Sequence, residues 1–286
     1  MIKSKISKKS NISIILLLYN TPQEKLKNLS IYEDYDVYIL DQSNDIATKK
    51  KILRLLPRIK YYKVTNINRG FAKGINYLIK KINTKFFLCT QPDVSIKKQS
   101  ITKLLHSFNK YKDCIISIPS LNKKTKKMIS KKAIIKVQGF IGAIFLGNKY
   151  KFNQIGKFDE NFFFYWEDID LSKRINDLKI FNIYKCNNVI AFHNNGKSTI
   201  DNTKSNFIRT SNFKFGEYYF EYKHQKLRII KLIREFFKRI ILLFVYLIFF
   251  NRKKFNSNFY NIVGIFKFYF FFLKKFIIFF KRAVYP

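Results

Sequence analysis

The chain has 286 residues, and its 56 Lys and Arg outnumber 18 Asp and Glu to give a formal net charge of +38. A field of that sign draws anionic membrane, nucleic acid or phosphate-bearing ligands, but compositional drift over every surface site accounts for it equally well, so the total names no partner. The three cysteines, Cys89, Cys114 and Cys186, form no C-x-x-C pair, which argues against a disulfide framework and a structural zinc site and fits a reducing compartment.

The length suffices for one large α/β domain or one domain with an appendage. Residues 1–20 turn from basic to apolar as a signal peptide does, yet lack a small-residue cleavage site. We read them as mature protein, with residues 12–19 a first strand covered on both faces and closed by Tyr19-Asn20 and Pro22. A short helix is expected over 23–30 and a second strand over 35–40, ending at Asp41 in the string LDQSND. The spacing of Ile46, Ile52, Leu53, Leu55 and Leu56 predicts a helix stopped near Pro57, and 61–64 a third strand. In NINRGFAKGINYLIKK, residues 66–81, Gly70 and Gly74 leave room for close backbone approach while Phe71, Ile75, Leu78 and Ile79 share a helical face. A fourth strand over 86–89 leads to Gln91-Pro92-Asp93, followed by a helix over 96–111 and a fifth strand over 114–118. This alternation predicts a three-layer α/β sandwich around a mostly parallel sheet. Ligand groups then gather at the carboxyl ends of strands, where Asn20, Asp41 and Asp93 lie.

Residues 119–134 read as an exposed basic loop or hairpin, and VQGFIGAIFLGNKY as another buried strand. Next comes FDENFFFYWEDIDLSKR, residues 158–174, which concentrates Asp159, Glu160, Glu167, Asp168 and Asp170 in a chain poor in carboxylates. The rings of 162–166 stand directly before Glu167, and an apolar wall that limits water raises a carboxylate's pKa and strengthens its hold on a cation. Helix capping, with Asp170 paired to Arg174 one turn on, explains part of the cluster but needs fewer than five acids. Asp93 has a plain alternative as an Asx turn or helix cap. Two short strands, 181–185 and 189–192, deliver His193 into HNNGKST; a lone His before a Gly-containing loop is equally well a hydrogen-bonded structural residue.

From residue 206 the composition changes: rings alternate with Lys and Arg, and beyond 236 every charged side chain is basic. The unbroken apolar run of 240–250 is shorter than the roughly 20 residues a membrane-crossing helix needs. Basic residues among large rings suit a segment lying on a membrane surface; a helical hairpin docked on the domain and a span using residues 236–250 with its embedded Lys238 and Arg239 are the other readings. We therefore divide the chain into a domain of 1–205 and a helical region of 206–286.

Tyr19-Asn20, LDQSND, NINRGFAKGINYLI, CTQPDV, GFIGA, FDENFFFYWEDIDLSKR and HNNGKS occur in an order and spacing that resemble the inverting nucleotide-sugar glycosyltransferases of family 2, which have the GT-A fold. Within that family they are most similar to bacterial rhamnosyl- and galactofuranosyltransferases. The resemblance implies that Asn20 and Asp41 serve the donor, Asp41 by reading its base, and that Asn66, Arg69 and Gly70 lie near its diphosphate. It implies Asp93 as a ligand of Mn2+ or Mg2+, although Gln91 stands where relatives more often carry Asn or Asp, and His193 as a second metal ligand or a contact to the diphosphate. Glu167 and Asp168 match the family's acidic pair, Asp168 as the catalytic base and Glu167 in support of the acceptor or the helix. Trp166 and Asp170 fall on the acceptor side, Asp170 serving either the acceptor or the helix.

The reaction so implied moves a sugar from a nucleoside-diphosphate donor to a hydroxyl of a glycan, lipid-linked at the cytoplasmic face of a bacterial inner membrane, with the anionic membrane surface as a peripheral partner. A catalytically inactive donor-binding scaffold and a basic nucleic-acid-binding protein are the rivals; most rings sit inside apolar strings where core packing is the default, so no specific nucleic acid is expected. Sugar, nucleobase, acceptor and linkage stay open, as does a homo-oligomer formed through the C-terminal apolar surface.

Overall fold

The computed structural model describes residues 11–43, 45–57, 59–121, 132–193 and 198–284. Most of the expected basic loop, residues 122–131, and Asn194–Lys197 of the HNNGKST string lie outside the described residues. The chain divides into two compact units, Met1–Asn161 with Glu167–Ile200, and Phe162–Trp166 with Asp201–Pro286.

In the first unit the run ISIILLL is strand β1 (Ile12–Leu18), buried almost throughout because parallel strands flank it on both sides. One neighbour is β2 (Asp36–Asp41), with Leu18 opposite Asp41; the other is β4 (Phe86–Thr90), with Leu16 opposite Thr90. β3 (Ile59–Val64) continues the parallel half beyond β2. Past β4 the sheet becomes mixed. β8 (Ile144–Asn148) runs antiparallel to β4 and to β6 (Cys114–Leu121), and β9 (Asn182–His193) runs parallel to β6. β5 (Val94–Ile96) and β7 (Ile134–Val137) both pair antiparallel with β9. Among the described residues the order is β3-β2-β1-β4-β8-β6-β9-β5, with β7 also on β9.

Helices α1 (Ile46–Leu55), α2 (Phe71–Lys81), α3 (Lys98–Lys103), α4 (Leu105–Lys110), α5 (Lys149–Gln154) and α6 (Glu167–Leu178) complete this unit. α2 packs on β1 and β2 and buries Phe71, Ala72, Ile75, Leu78 and Ile79, the face its spacing predicts. Four elements differ in form from the sequence reading. The strand expected over VQGFIGAIFLGNKY, residues 137–150, is confined to β8, because residues 138–143 form the turn that leads into it. Residues Gln23–Tyr32 are a 3-10 helix, which three residues per turn explains: Leu26, Leu29 and Tyr32, three apart, are its buried positions. The helix expected over 96–111 breaks at Leu104, whose N–H bonds back to Ile101 in a tighter turn. The two short strands near the end of the unit are one strand, β9, with a register jump from the Pro119–Cys186 pair to the Ser120–Ile190 pair. That irregularity interrupts the hydrophobic alternation.

The second unit contains α7 (Thr203–Lys223), α8 (Ile229–Ile248) and α9 (Arg252–Val284), with α9 packed on both others. Its core is aromatic: Phe162, Phe215, Tyr218, Tyr219, Ile265 and Phe268 cluster there. Gly264 lets α9 approach α7 closely, since a Cβ there would stand 2.5 Å from the Ser211 carbonyl oxygen. Among the described residues no helix is long and apolar enough to cross a membrane. Lys231, Arg234, Glu235, Lys238 and Arg239 stand in α8 ahead of the apolar run of 240–250, and Lys267, Lys274 and Lys275 interrupt the apolar sequence of α9.

Candidate active site

Because β1, β2 and β4 are parallel and in register, their carboxyl ends form one rim, and β8, antiparallel to β4, starts from it. Asn20 turns the chain just past β1 with φ 44°, a left-handed conformation that Asn tolerates well, and its carbonyl accepts from the Ile200 N–H at 3.0 Å. Asp41 ends β2 fully buried. Its Oδ1 accepts from the Ser43 amide at 2.9 Å and hydroxyl at 2.5 Å, and its Oδ2 from Tyr62 at 2.9 Å. Burial, and then the carboxylate itself, push the Tyr62 hydroxyl well above the usual range, so it stays a proton donor to Asp41.

The neighbouring Gln42, which the sequence reading passed over, organises the loop before α2. Its Oε1 accepts from the Arg69 amide at 2.7 Å, and its Nε2 donates to Asn68 Oδ1 at 3.2 Å and the Gly70 carbonyl at 3.4 Å. Asn68 Oδ1 also accepts from the Gly70 amide at 2.9 Å. Gly70 has φ 83°, which a side chain rarely permits, and stands at the N-cap of α2. The loop thus presents exposed Asn66 and Arg69 beside a helix N-terminus, an arrangement that favours an anion. Arg69 also lines an open pocket of about 150 Å³ with Lys63, Lys73 and Lys80. The signal for Gln42 was its place directly after Asp41, but which groups it would hold depends on the approach of a loop 27 residues away.

Asp93 lies in the turn between β4 and β5, which Asn28 secures by donating to the Pro92 carbonyl at 3.1 Å. The β5–β9 register sets Val94 opposite His193, and the Asp93 carboxylate meets His193 Nε2 at 3.4 Å. Two residues 100 positions apart, singled out separately as metal ligands, therefore face one another. Among the described residues no group of three His, Cys, Asp or Glu side chains could hold a metal. One carboxylate and one imidazole still fit a hard divalent cation that completes its shell with ligand phosphates and water.

Glu167 and Asp168 open α6. Asp168 Oδ2 accepts from the Gly142 amide at 2.8 Å and Oδ1 from its neighbour Ile169 at 2.8 Å. Gly142 lies two residues before β8, whose Ile144 pairs with Thr90, so Asp168 is brought to the rim that carries Asp93. Burial raises the Asp168 carboxyl above the usual range, and the two amides counteract this. Glu167 is raised further, first by burial and then by the charge of Asp168. Its Oε2 is buried with no hydrogen-bond partner among the described residues. The pair is thus differentiated: Glu167 favours the neutral acid, while Asp168 has amide support for negative charge.

Asp170 is fully buried, and its Oδ2 accepts from Arg174 Nε at 2.9 Å. The same guanidinium donates to the carbonyls of Ile155 and Lys157, so of the two roles expected for Asp170 the geometry carries support of the helix. Trp166 belongs to the second unit, where its ring packs on Phe213 and Phe220. Tyr165 and Trp166 have φ of 69° and 72°, strained for bulky side chains, immediately before the acidic pair.

A mixed α/β sandwich with carboxylates gathered at one rim defines the class: a GT-A fold of the nucleotide-sugar glycosyltransferase type. The family model "Glycosyl transferase family 2" matches residues 17–173, more than half of the chain, and the protein belongs to that family. No curated relative matches the sequence. Among solved structures, the chain is similar to a mannosyltransferase, PcManGT from Pyrobaculum calidifontis in complex with GDP-Man and Mn2+, at 14% identity and TM-score 0.54, covering 74% of this chain and 64% of that one. It is also similar to GalNAc-T7 with UDP, GalNAc and Mn2+, at 9% identity and TM-score 0.53, covering 75% of this chain and 50% of that one. The chain thus spans between half and two thirds of these structures, which share its fold.

Proposed function

We propose that the protein is an inverting, metal-assisted glycosyltransferase that moves a sugar from a nucleoside diphosphate to a hydroxyl of a lipid-linked glycan at the cytoplasmic face of a bacterial inner membrane. The observation that carries this reading is the common rim of Asp168, held by Gly142, and the Asp93–His193 pair. Asp168 takes the acceptor hydroxyl's proton as that oxygen bonds to the anomeric carbon; the bond from that carbon to the diphosphate breaks, and its electron pair leaves with the nucleoside diphosphate. Each Asp168 oxygen spends one acceptor site on an amide and keeps another for that proton. Asn66, Arg69 and Gly70 orient the diphosphate, and Asn20 and Asp41 border the nucleoside. Asp93 and His193 would hold Mn2+ or Mg2+, which when bound neutralises charge on the departing diphosphate. The two solved relatives described above carry Mn2+ together with a sugar nucleotide or with UDP, which supports that choice.

The resemblance of the sequence strings to rhamnosyl- and galactofuranosyltransferases makes those sugars the first donors to try. The deciding experiment is a thermal-shift screen of nucleoside diphosphates and sugar nucleotides with and without Mn2+. Stabilisation by one base, strengthened by metal, is expected; no shift with any nucleotide would overturn the reading. A second reading, a donor-binding scaffold without turnover, is favoured by Gln91 in place of Asn or Asp. It predicts the same thermal shift with no sugar released or transferred.

A further inference from the structure

We propose that the exposed face of α8, with the Phe249-Phe250 tip after it, inserts into an anionic lipid bilayer, the helix lying in the membrane plane. This deepens the membrane location given above and rests on that reading for its biological setting, but its observations come from the second unit alone. None of the 20 residues of α8 is buried. Ile230, Ile233, Phe237, Ile241, Phe244 and Ile248 recur every three or four residues along one face and are 50–82% exposed. Phe249 and Phe250 are 75% and 93% exposed. Soluble surfaces rarely present so long an apolar stripe without a partner to cover it.

The charge around the stripe selects the partner. After Asp201 the sequence holds 18 Lys and Arg but only three acids, Glu217, Glu221 and Glu235. All three are engaged within the helical unit: Lys214 meets Glu217 at 2.7 Å, Lys231 meets Glu221 at 2.5 Å, and Arg239 meets Glu235 at 2.8 Å. Those carboxylates, whose side chains are only 18–22% exposed, are spent on Lys214, Lys231 and Arg239, whereas Arg234 and Lys238 stay exposed beside the stripe and Arg252, Lys253 and Lys254 just past the tip. The outward surface is therefore apolar and cationic, with the negative charge turned in. That pattern fits acyl chains under anionic headgroups. A second copy would bring like charges together, and a stripe with four isoleucines among six residues offers little for nucleobases to stack on.

The test is flotation of the full chain with phosphatidylcholine vesicles, with and without phosphatidylglycerol. Wild type is expected to float with the anionic vesicles only, and less so at high salt. The double variant Ile241→Glu, Phe244→Glu alters exposed positions. It should lose at least about tenfold in vesicle affinity, with an unchanged circular dichroism spectrum and unchanged thermal shift by nucleotide. Cys89, Cys114 and Cys186 are buried, so a thiol dye on Phe250→Cys reports the tip, and its emission should shift to the blue on anionic vesicles. Equal flotation of variant and wild type, an unmoved dye, a concentration-dependent dimer abolished by the double variant, or RNA binding without vesicle binding would each overturn the proposal. Nucleotide thermal shift is read separately, so loss of the membrane face and loss of the catalytic reading are distinguishable.

Discussion

Asp168 and Glu167 are adjacent in sequence yet differ in chemistry because their surroundings differ. Asp168 has two backbone amides to support its charge; Glu167 has a buried oxygen with no donor among the described residues. Asp168→Asn is therefore expected to lower transfer by about 10²- to 10⁴-fold with the fold retained; near-normal turnover would remove Asp168 from the base's role. As the proposed base, Asp168 would have to be ionised to act, and burial raises its pKa, so the acidic limb of kcat/KM should lie above the ordinary Asp value of about 3.9. Glu167 gives a stability prediction of definite sign. Its carboxyl takes up a proton on folding between its unfolded value of about 4.3 and its raised folded value, so stability falls as pH climbs through that window. Glu167→Gln lacks that slope, and its Tm should gain on wild type as pH rises; parallel Tm curves would refute the assignment. Gln42→Ala should weaken donor binding, measured by titration calorimetry, because it frees the Arg69 amide and the Asn68 side chain from their clamp.

The elements that place these residues were unequally legible. β1, β2 and β4 were visible as apolar runs with polar ends, since strands buried on both faces need continuous hydrophobicity. α2 was visible in its 3.6-residue period. β5 was not: three residues, VSI, carry too little pattern, and only pairing with β9 makes them a strand and brings Asp93 to His193. Close packing of the second unit's helices was equally hidden, because it depends on the absence of a side chain at Gly264. Gly264→Ala would press a methyl group against the Ser211 carbonyl and the Lys214 Cβ, at 2.5 and 2.8 Å. Overpacking of that kind should cost about 1–3 kcal/mol, read as a lower Tm.

Over the whole molecule, acidic and basic residues are distributed very unevenly. The first unit gathers carboxylates at one rim of its sheet, whereas in α7 and α8 they are spent on internal ion pairs, leaving apolar and cationic groups outside. Hydrogen exchange should find α8 the least protected long helix in solution, because it has no buried residue, and should find its amides slowed by anionic vesicles. Exchange unchanged by vesicles would separate α8 from the membrane. The sequence by itself determined the α/β class, the carboxylates and imidazole worth attention, and the cationic aromatic character of the C-terminal region, because hydrophobic period and residue chemistry are local properties. Only the tertiary structure decided that Asp93 meets His193, that Gln42 clamps the loop before α2, that Asp170 is spent on Arg174, and that the C-terminal glutamates turn inward. Each of these depends on residues far apart in the chain arriving within bonding distance, which is a property of strand register and helix packing.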